Sequence, residues 1–546
     1  MRLALKRLHH LGKHLSIGVL ICTLMTLGIV PGTASAHETS KTSTTANHAL
    51  SSTSTDSPKR QLRAAWIATV TNIDWPSQPG LPAATQQQEY LTHLDELQQM
   101  NMNAVVVQVK PTADAFYPSH YGPWSQYLTG VQGKDPGYDP LAFMVNETHK
   151  RNIEFHAWFN PYRVSMQGDI NQLVPDHPAR LHPDWVVSYG GKLYYNPGIP
   201  AAREFVVQSI LEVVRNYDVD GIHLDDYFYP YKVGNQDFPD DATYQQYGAA
   251  RFANKDDWRR DNVNQMIQEL SSGIKQIKPY VKFGISPFGV WRNRSVDPTG
   301  SDTTAGQTNY DTLYADTRLW IKNNWLDYIA PQIYWNIGFA PAAYDKLVSW
   351  WANEVAGTHV QLYIGQGAYK IGTSSPTNWL NPDEMPNQLA LNLQYPQVQG
   401  SIFFSLKDLN ANLLGFKDRL VNDIYKQKAL VPTMPWLDST APRPVVLLPS
   451  GPKQDSASLR WLDLPHNTTA YYVIYRFDGK IVPTQADFDN SANILTTLRK
   501  LQEESTQQQF VDTSAQSGHA YTYYVTAVDR LHNESQPSSG RSITLA

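Results

Sequence analysis

The chain has 546 residues, 41% of them hydrophobic and 12% aromatic, which suffices for two or three domains and a large core. Its formal charge is −5; Arg2, Lys6, Arg7 and Lys13 lie in residues 1–36, which carry no acid, so the remainder stands at −9. That balance argues against a nucleic-acid binder and against docking on an anionic surface by bulk charge.

Residues 1–36 read as a secretory signal peptide. They have a basic start, an apolar run from about Leu15 to Val30, and Ala34-Ser35-Ala36 as a cleavage site. The run is short for a membrane span and is interrupted by Ser16, Thr23 and Thr26, so no membrane segment is expected after cleavage. The only cysteine, Cys22, lies inside this segment, and the mature chain is expected to lack disulfides and thiolate metal sites. Residues 37–60 are Ser/Thr-rich with few apolar side chains and read as a disordered spacer.

From 61 to 427 strand-like and helix-like segments alternate. Strands are expected at about 63–70, 104–110, 153–159, 219–226, 281–286, 326–334, 359–364 and 400–405. Segments such as Ala201–Tyr217, with Val206, Ile210 and Val213 at helical spacing, fill the intervals. Eight strands with helices between them predict an α/β fold, a (β/α)8 TIM barrel with enlarged loops. No Gly-rich phosphate loop follows any strand, which disfavours a doubly wound nucleotide-binding sheet.

The stretch Asp220-Gly-Ile-His-Leu-Asp-Asp-Tyr227 is the fourth strand running into two adjacent carboxylates. Ile222 and Leu224 share one parity; His223 and Asp225 share the other, which faces the barrel interior. Polar residues make the same choice on neighbouring strands: Gln108 and Lys110; His156, Trp158 and Asn160; Ser286; Gln332 and Tyr334; Ser405. Buried polar layers cost free energy unless paired, so repetition near one end marks a site. Catalytic groups of such barrels sit at the carboxyl ends of the strands.

Glycosidic bonds are usually cut by two carboxyl groups. Asp225 is therefore expected as nucleophile, or as the group that orients a substrate acetamide, and Asp226 as acid/base. Along a regular strand the two would point apart, so Asp226 joins only if the strand ends at Asp225. Asp74, Trp75, Gln108, Lys110, Asp114, Asn160, Arg163, His223, Tyr227, Trp291, Gln332, Tyr334 and Trp335 are expected to bind substrate, because the loops after the strands combine aromatic faces with amides and charges. No metal-ligand spacing and no nucleophile elbow is present, and no cofactor is expected.

Residues 428–445 are Pro-punctuated and read as a linker; 446–546 alternate as short strands. That last segment resembles a fibronectin type III sandwich, with Trp461 as the core tryptophan and Tyr521 as the corner tyrosine.

The barrel motifs resemble a bacterial family described as glycosyl-hydrolase-like, family-10-like. They include RAAWIATVTNIDWPS (63–77), NAVVVQVKPTADAFYPS (103–119), FHAWFNPYR (155–163), YDVDGIHLDDYFYP (217–230), VKFGISPFGVWRN (281–293) and YIAPQIYWNIG (328–338). The resemblance implies an exported barrel glycosidase, secreted or wall-associated. Its glycan partner would be an envelope polysaccharide, especially peptidoglycan strands stripped of peptide. Two alternatives remain at this point. One is a non-catalytic glycan-binding protein on a barrel scaffold; the other is a glycosidase for a different extracellular polysaccharide.

Overall fold

A computed structural model of the chain describes residues 57–453, 456–500 and 506–545. The expected signal peptide and nearly all of the 37–60 spacer lie outside the described residues. Among those residues no helix is long and apolar enough to cross a membrane.

Eight parallel strands close into a barrel: β1 Leu62–Ile67, β2 Ala104–Lys110, β3 Glu154–Phe159, β4 Gly221–Leu224, β5 Lys282–Ile285, β6 Tyr328–Ile329, β7 Gln361–Gly367 and β8 Val398–Phe404. The ring closes where β1 pairs with β8, Leu62 opposite Gly400 and Ala64 opposite Ile402. Each expected strand is present. The sixth is shorter than its sequence suggested, because Pro331 has no N–H for the ladder. Gln332 nevertheless bridges to Phe288 on one side and Gly365 on the other, so the strand's direction persists to its carboxyl end.

Period-2 patterning sorts the side chains. Ala65, Ile67, Val105, Val107, Phe155, Phe159, Ile222, Leu224, Phe283 and Ile285 point outward into one continuous core with the surrounding helices. These include α1 Ala83–Gln99, α2 Pro140–Lys150, α3 Pro200–Asn216 and α4 Lys255–Ile277. Sequence sets their starts. Pro140 and Pro200 occupy the first turns of α2 and α3; Asp139 caps α2 by accepting from Ala142 N–H; Asn254 caps α4 by accepting from Asp256 and Asp257 N–H. On α3, Val206, Val207, Ile210, Val213 and Val214 are buried, each contributing roughly 1.5–3 kcal/mol relative to exposure.

The interior parity differs. Leu62, Ala64, Trp66, Ala104, Val106, Trp158, Tyr328, Tyr363 and Ile402 form a second cluster along the axis. Two glycines make room for its large rings. A Cβ on Gly284 would lie 2.0 Å from the Tyr328 ring, and one on Gly221 would lie 2.6 Å from the His156 ring.

The amino-terminal end of the barrel is closed. Val431 and Met434 pack into the axial cluster, with Trp436 against it; Trp436 Nε1 donates to Asp327 Oδ1 at 3.0 Å. Beyond them stand two four-stranded antiparallel sheets. One contains Val446–Leu447, Gly451–Lys453, Ser456–Leu462 and Gln507–Asp512; the other Tyr471–Asp478, Ile494–Arg499, Ala520–Val528 and Arg541–Thr544. Trp461, Tyr472, Tyr523 and Val525 fill the core between them. A small three-stranded sheet, unanticipated from sequence, follows β3: Arg163–Ser165, Val186–Tyr189 and Lys192–Tyr195.

Candidate active site

β4 ends at Leu224, and the chain bends at Asp226. That bend meets the condition for both carboxylates to share one cleft. Asp225 keeps the inward direction of His223. Its Oδ2 accepts from Trp158 Nε1 at 3.0 Å and from Asn160 Nδ2, and its Oδ1 accepts from Tyr227 N–H at 3.1 Å. Asp226 turns toward β6, where Oδ1 accepts from Gln332 Nε2 at 3.1 Å and Oδ2 accepts from the Tyr231 hydroxyl.

The donors around Asp225 are fixed in direction. Thr69 and Val70 N–H both donate to Gln108 Oε1 at 2.9 Å, so Gln108 presents its NH2 to Asn160 Oδ1 at 2.5 Å. Arg163 Nη2 donates to the same Asn160 oxygen at 2.7 Å. Asn160 can then only offer its NH2 to Asp225. Arg163 is in turn anchored by Pro111 O, which accepts from Nε at 3.0 Å and Nη2 at 2.8 Å, and its guanidinium lies 5.2 Å from the Tyr227 ring centre.

Burial raises the pKa of both carboxyls, and the neighbouring Asp226 charge raises Asp225 further while Arg163 opposes it. Such a pair holds one proton between them more readily than none. Asp225 faces three N–H groups, none of which can accept. Asp226 faces one amide and one hydroxyl, and a hydroxyl can reverse. By its donor set, Asp226 is the carboxyl that can both carry the shared proton and donate it.

Beneath the pair runs a hydrogen-bonded file of defined polarity. Trp66 Nε1–H donates to His223 Nε2 at 3.3 Å, so His223 carries its proton on Nδ1 and donates to the Tyr328 hydroxyl at 2.9 Å. Tyr328 then donates to His156 Nδ1 at 2.8 Å, and His156 Nε2 donates to Glu154 Oε2 at 3.1 Å. Burial lowers the His223 pKa well below its usual value, in keeping with a neutral ring.

Among the residues expected to bind substrate, Asn160, Arg163, Tyr227, Gln332, Tyr334 and Trp335 gather around the carboxylates or at the mouth above them. Tyr334 stacks near Phe404 at 6.3 Å, and Trp335 meets Phe288 edge-on at 5.4 Å. Gln108 and His223 are fully buried and, contrary to expectation, do not face substrate; Gln108 acts through Asn160, and His223 is bonded into the axial file through Tyr328.

Other expectations are corrected. Trp75 is completely buried between the barrel and α1, against Tyr90 and Phe116, with its Nε1 donating to Gln86 O. Trp291 is buried in the outer layer against Trp350 and Arg318. Asp74 staples the β1 and β8 loops by accepting from Ala68 N–H, Ser405 Oγ and Lys407 N–H, and burial raises its pKa to about 6. Lys110 and Asp114 are buried and bonded within the β2 loop, Lys110 Nζ donating to Tyr121 O and Asp114 Oδ1 accepting from Thr112 Oγ1. The inward parity that singled out Trp158 was correct, though its role as a donor to Asp225 was not foreseen. Tyr231, Phe288, Tyr369 and, at the end of β8, Phe404 also flank the cleft; as isolated aromatics they carried no distinguishing sequence signal. Among the described residues no cluster of His, Cys, Asp and Glu could hold a metal ion.

A closed parallel (β/α)8 barrel with paired carboxyls and aromatic rings at its carboxyl-end mouth places the protein among the barrel glycosidases. Residues 61–381 match the model of the family described as glycosyl hydrolase-like 10, and the chain belongs to that family; it is a glycoside hydrolase. Similar proteins include the glycosyl hydrolase YngK of Bacillus subtilis (strain 168), 59% identical over 88% of this chain and 92% of that protein. The glycosyl hydrolase DigH of Escherichia coli (strain K12) is 45% identical over 65% of this chain and 85% of its own. Among solved structures, the PgaB (BpsB) glycoside hydrolase domain from Bordetella bronchiseptica aligns with a TM-score of 0.42 at 13% identity, covering 67% of this chain and 98% of that one.

Proposed function

We propose that the protein is an exported glycosidase that cuts N-acetylhexosamine-containing cell-envelope glycan, namely peptidoglycan strands, with Asp225 and Asp226 as the reacting pair. The observation that carries this reading is the unequal donor set around the two carboxyls. Three fixed N–H donors take up most of the lone-pair directions of Asp225, which blunts it as a nucleophile and leaves one direction on Oδ1 to accept from a substrate acetamide N–H. Asp226, carrying the proton, donates it to the leaving glycosidic oxygen. The acetamide oxygen then attacks the anomeric carbon as the bond to the leaving oxygen breaks. Deprotonated Asp226 next activates the water that opens the cyclic intermediate, regaining its proton.

Export is supported by the signal-like residues 1–36. The carboxy-terminal sheets fit a fibronectin type III module, with Trp461 fully buried and Tyr521 OH accepting from Gln516 N–H at 3.4 Å. The test is cleavage of peptide-free peptidoglycan strands before and after chemical de-N-acetylation. Release of new reducing ends only from the acetylated strands supports the reading; equal cleavage of both overturns the acetamide role, and cleavage of neither overturns the substrate.

A further inference from the structure

The small sheet after β3 presents two cations on one face. Arg163 pairs across the strands with Tyr194, and Lys192 lies two residues from Tyr194 on the same strand, so all three side chains share a face. That face looks into the cleft, because Arg163 packs over the ring of Tyr227, whose own N–H holds Asp225. Arg163 commits Nε and Nη2 to Pro111 O and Asn160 Oδ1, while among the described residues Nη1 has no hydrogen-bond partner. Lys192 is half-buried. Among the described residues it has neither a hydrogen bond nor an ion pair. Burial lowers its pKa, and the Arg163 charge lowers it further.

Among the described residues neither cation makes an ion pair, although Asp225 and Asp226 lie near enough to feel the Arg163 charge. Several other buried cations are matched, Arg259 with Asp237 and Asp240, Lys282 with Glu154 and Arg530 with Asp218, whereas Arg63 and Lys110 are held by neutral groups. Asp225 and Asp226 direct their oxygens to Trp158, Asn160, Tyr227, Gln332 and Tyr231 and to neither cation. Two cations on one face of a cleft make it a favourable seat for an anion.

We propose that Arg163 Nη1 and Lys192 Nζ form a subsite for a carboxylate borne by a sugar ring bound in the cleft. The planar fork edge of Arg163 and the point charge of Lys192 suit the two oxygens of one carboxylate. Resting on the glycan reading above, the ligand is the ether-linked lactyl carboxylate of an N-acetylated sugar. That group is anionic only where no peptide is amide-bonded to it, so the subsite selects the peptide-free strand.

The experiment is calorimetric titration of the full chain with an N-acetylglucosaminyl-N-acetylmuramic acid disaccharide, its carboxamide, and a uronate disaccharide. The free acid should bind at least tenfold more tightly than the carboxamide. Lys192→Met should bring that ratio to within twofold, and Lys192→Arg should keep it. Equal binding of acid and amide by the wild type, or full discrimination by Lys192→Met, overturns the proposal. Preferential binding of the uronate would keep the carboxylate subsite and overturn the lactyl assignment. Cleavage of strands is scored separately. Discrimination without cleavage overturns the function proposed above and leaves the subsite standing; cleavage without discrimination does the reverse.

Discussion

His532, from the carboxy-terminal sheets, places Nε2 2.6 Å from Glu154 Oε1 inside the closed end of the barrel. Lys282 Nζ meets the same oxygen at 2.5 Å, and Tyr471 OH lies 3.0 Å from His532 Nδ1. The two parts of the chain thus share a buried polar core. Burial alone would raise the Glu154 pKa, but Lys282 and His532 hold its carboxyl well below the usual range. His532→Ala should destabilise the protein by about 2–4 kcal/mol, from a lost donor and an orphaned tyrosine hydroxyl. Because the folded pKa of Glu154 is depressed, its contribution is present above the unfolded value of about 4.3 and disappears as pH falls through the folded one. Burial also lowers the His532 pKa, so the difference between variant and wild type in urea denaturation should narrow on acidification from about pH 6.5, the unfolded histidine value, and further below about pH 4. A variant as stable as wild type at pH 7 contradicts the shared core.

The carboxylate pair makes the opposite prediction. Raised folded pKa values mean that ionising the pair costs stability; the cost is absent below the unfolded value near 3.9 and grows as pH rises toward the folded values. Asp226→Asn should thus gain thermal stability over wild type at pH 8 by on the order of 1 kcal/mol, and less at pH 4.5. A gain that is larger at the acid end runs against the assignment. The wild-type rate should show a bell-shaped pH profile whose limbs belong to the pair.

Gln108 acts through Asn160. Gln108→Glu would replace the NH2 facing Asn160 Oδ1 with an oxygen, turning the Asn160 amide so that its own oxygen meets Asp225. The expected result is a kcat lower by roughly a hundredfold, about 2.7 kcal/mol, with KM changed little. An unaltered kcat would show that the Asn160 orientation does not matter.

Gly284 touches the axial file. Gly284→Ala would put a methyl 2.0 Å from the Tyr328 ring, on a β5 strand with no room to yield. A loss of about 1–3 kcal/mol or more is expected, with altered near-ultraviolet circular dichroism from the displaced tyrosine. A fully stable variant would mean that the barrel interior is looser than described.

The eight strands were legible because apolar outward parity and polar inward parity repeat at period 2 on segments such as Val105–Lys110 and Ile222–Asp225. The same parity pointed to Asp225, Asn160 and Gln332. It could not separate cleft rings from packing rings: Trp75 and Trp335 both follow strands in aromatic loops, yet one is sealed under α1 and the other stands at the mouth. Nor could it foresee Glu154 with His532, 378 positions apart, since nothing local in either segment encodes the partner. The sheet carrying Lys192 was missed because its strands are only three or four residues long.

The most direct test of the Asp225–Asp226 assignment is mass spectrometry of the saccharides released from peptide-free peptidoglycan strands by wild type, Asp225→Asn and Asp226→Asn, each confirmed folded by circular dichroism. Wild type should release defined N-acetylated products, and each variant should be slower by at least about a thousandfold, roughly 4 kcal/mol in the barrier. Wild-type rates in both single variants would contradict the assignment of Asp225 and Asp226 as the groups that cut the bond.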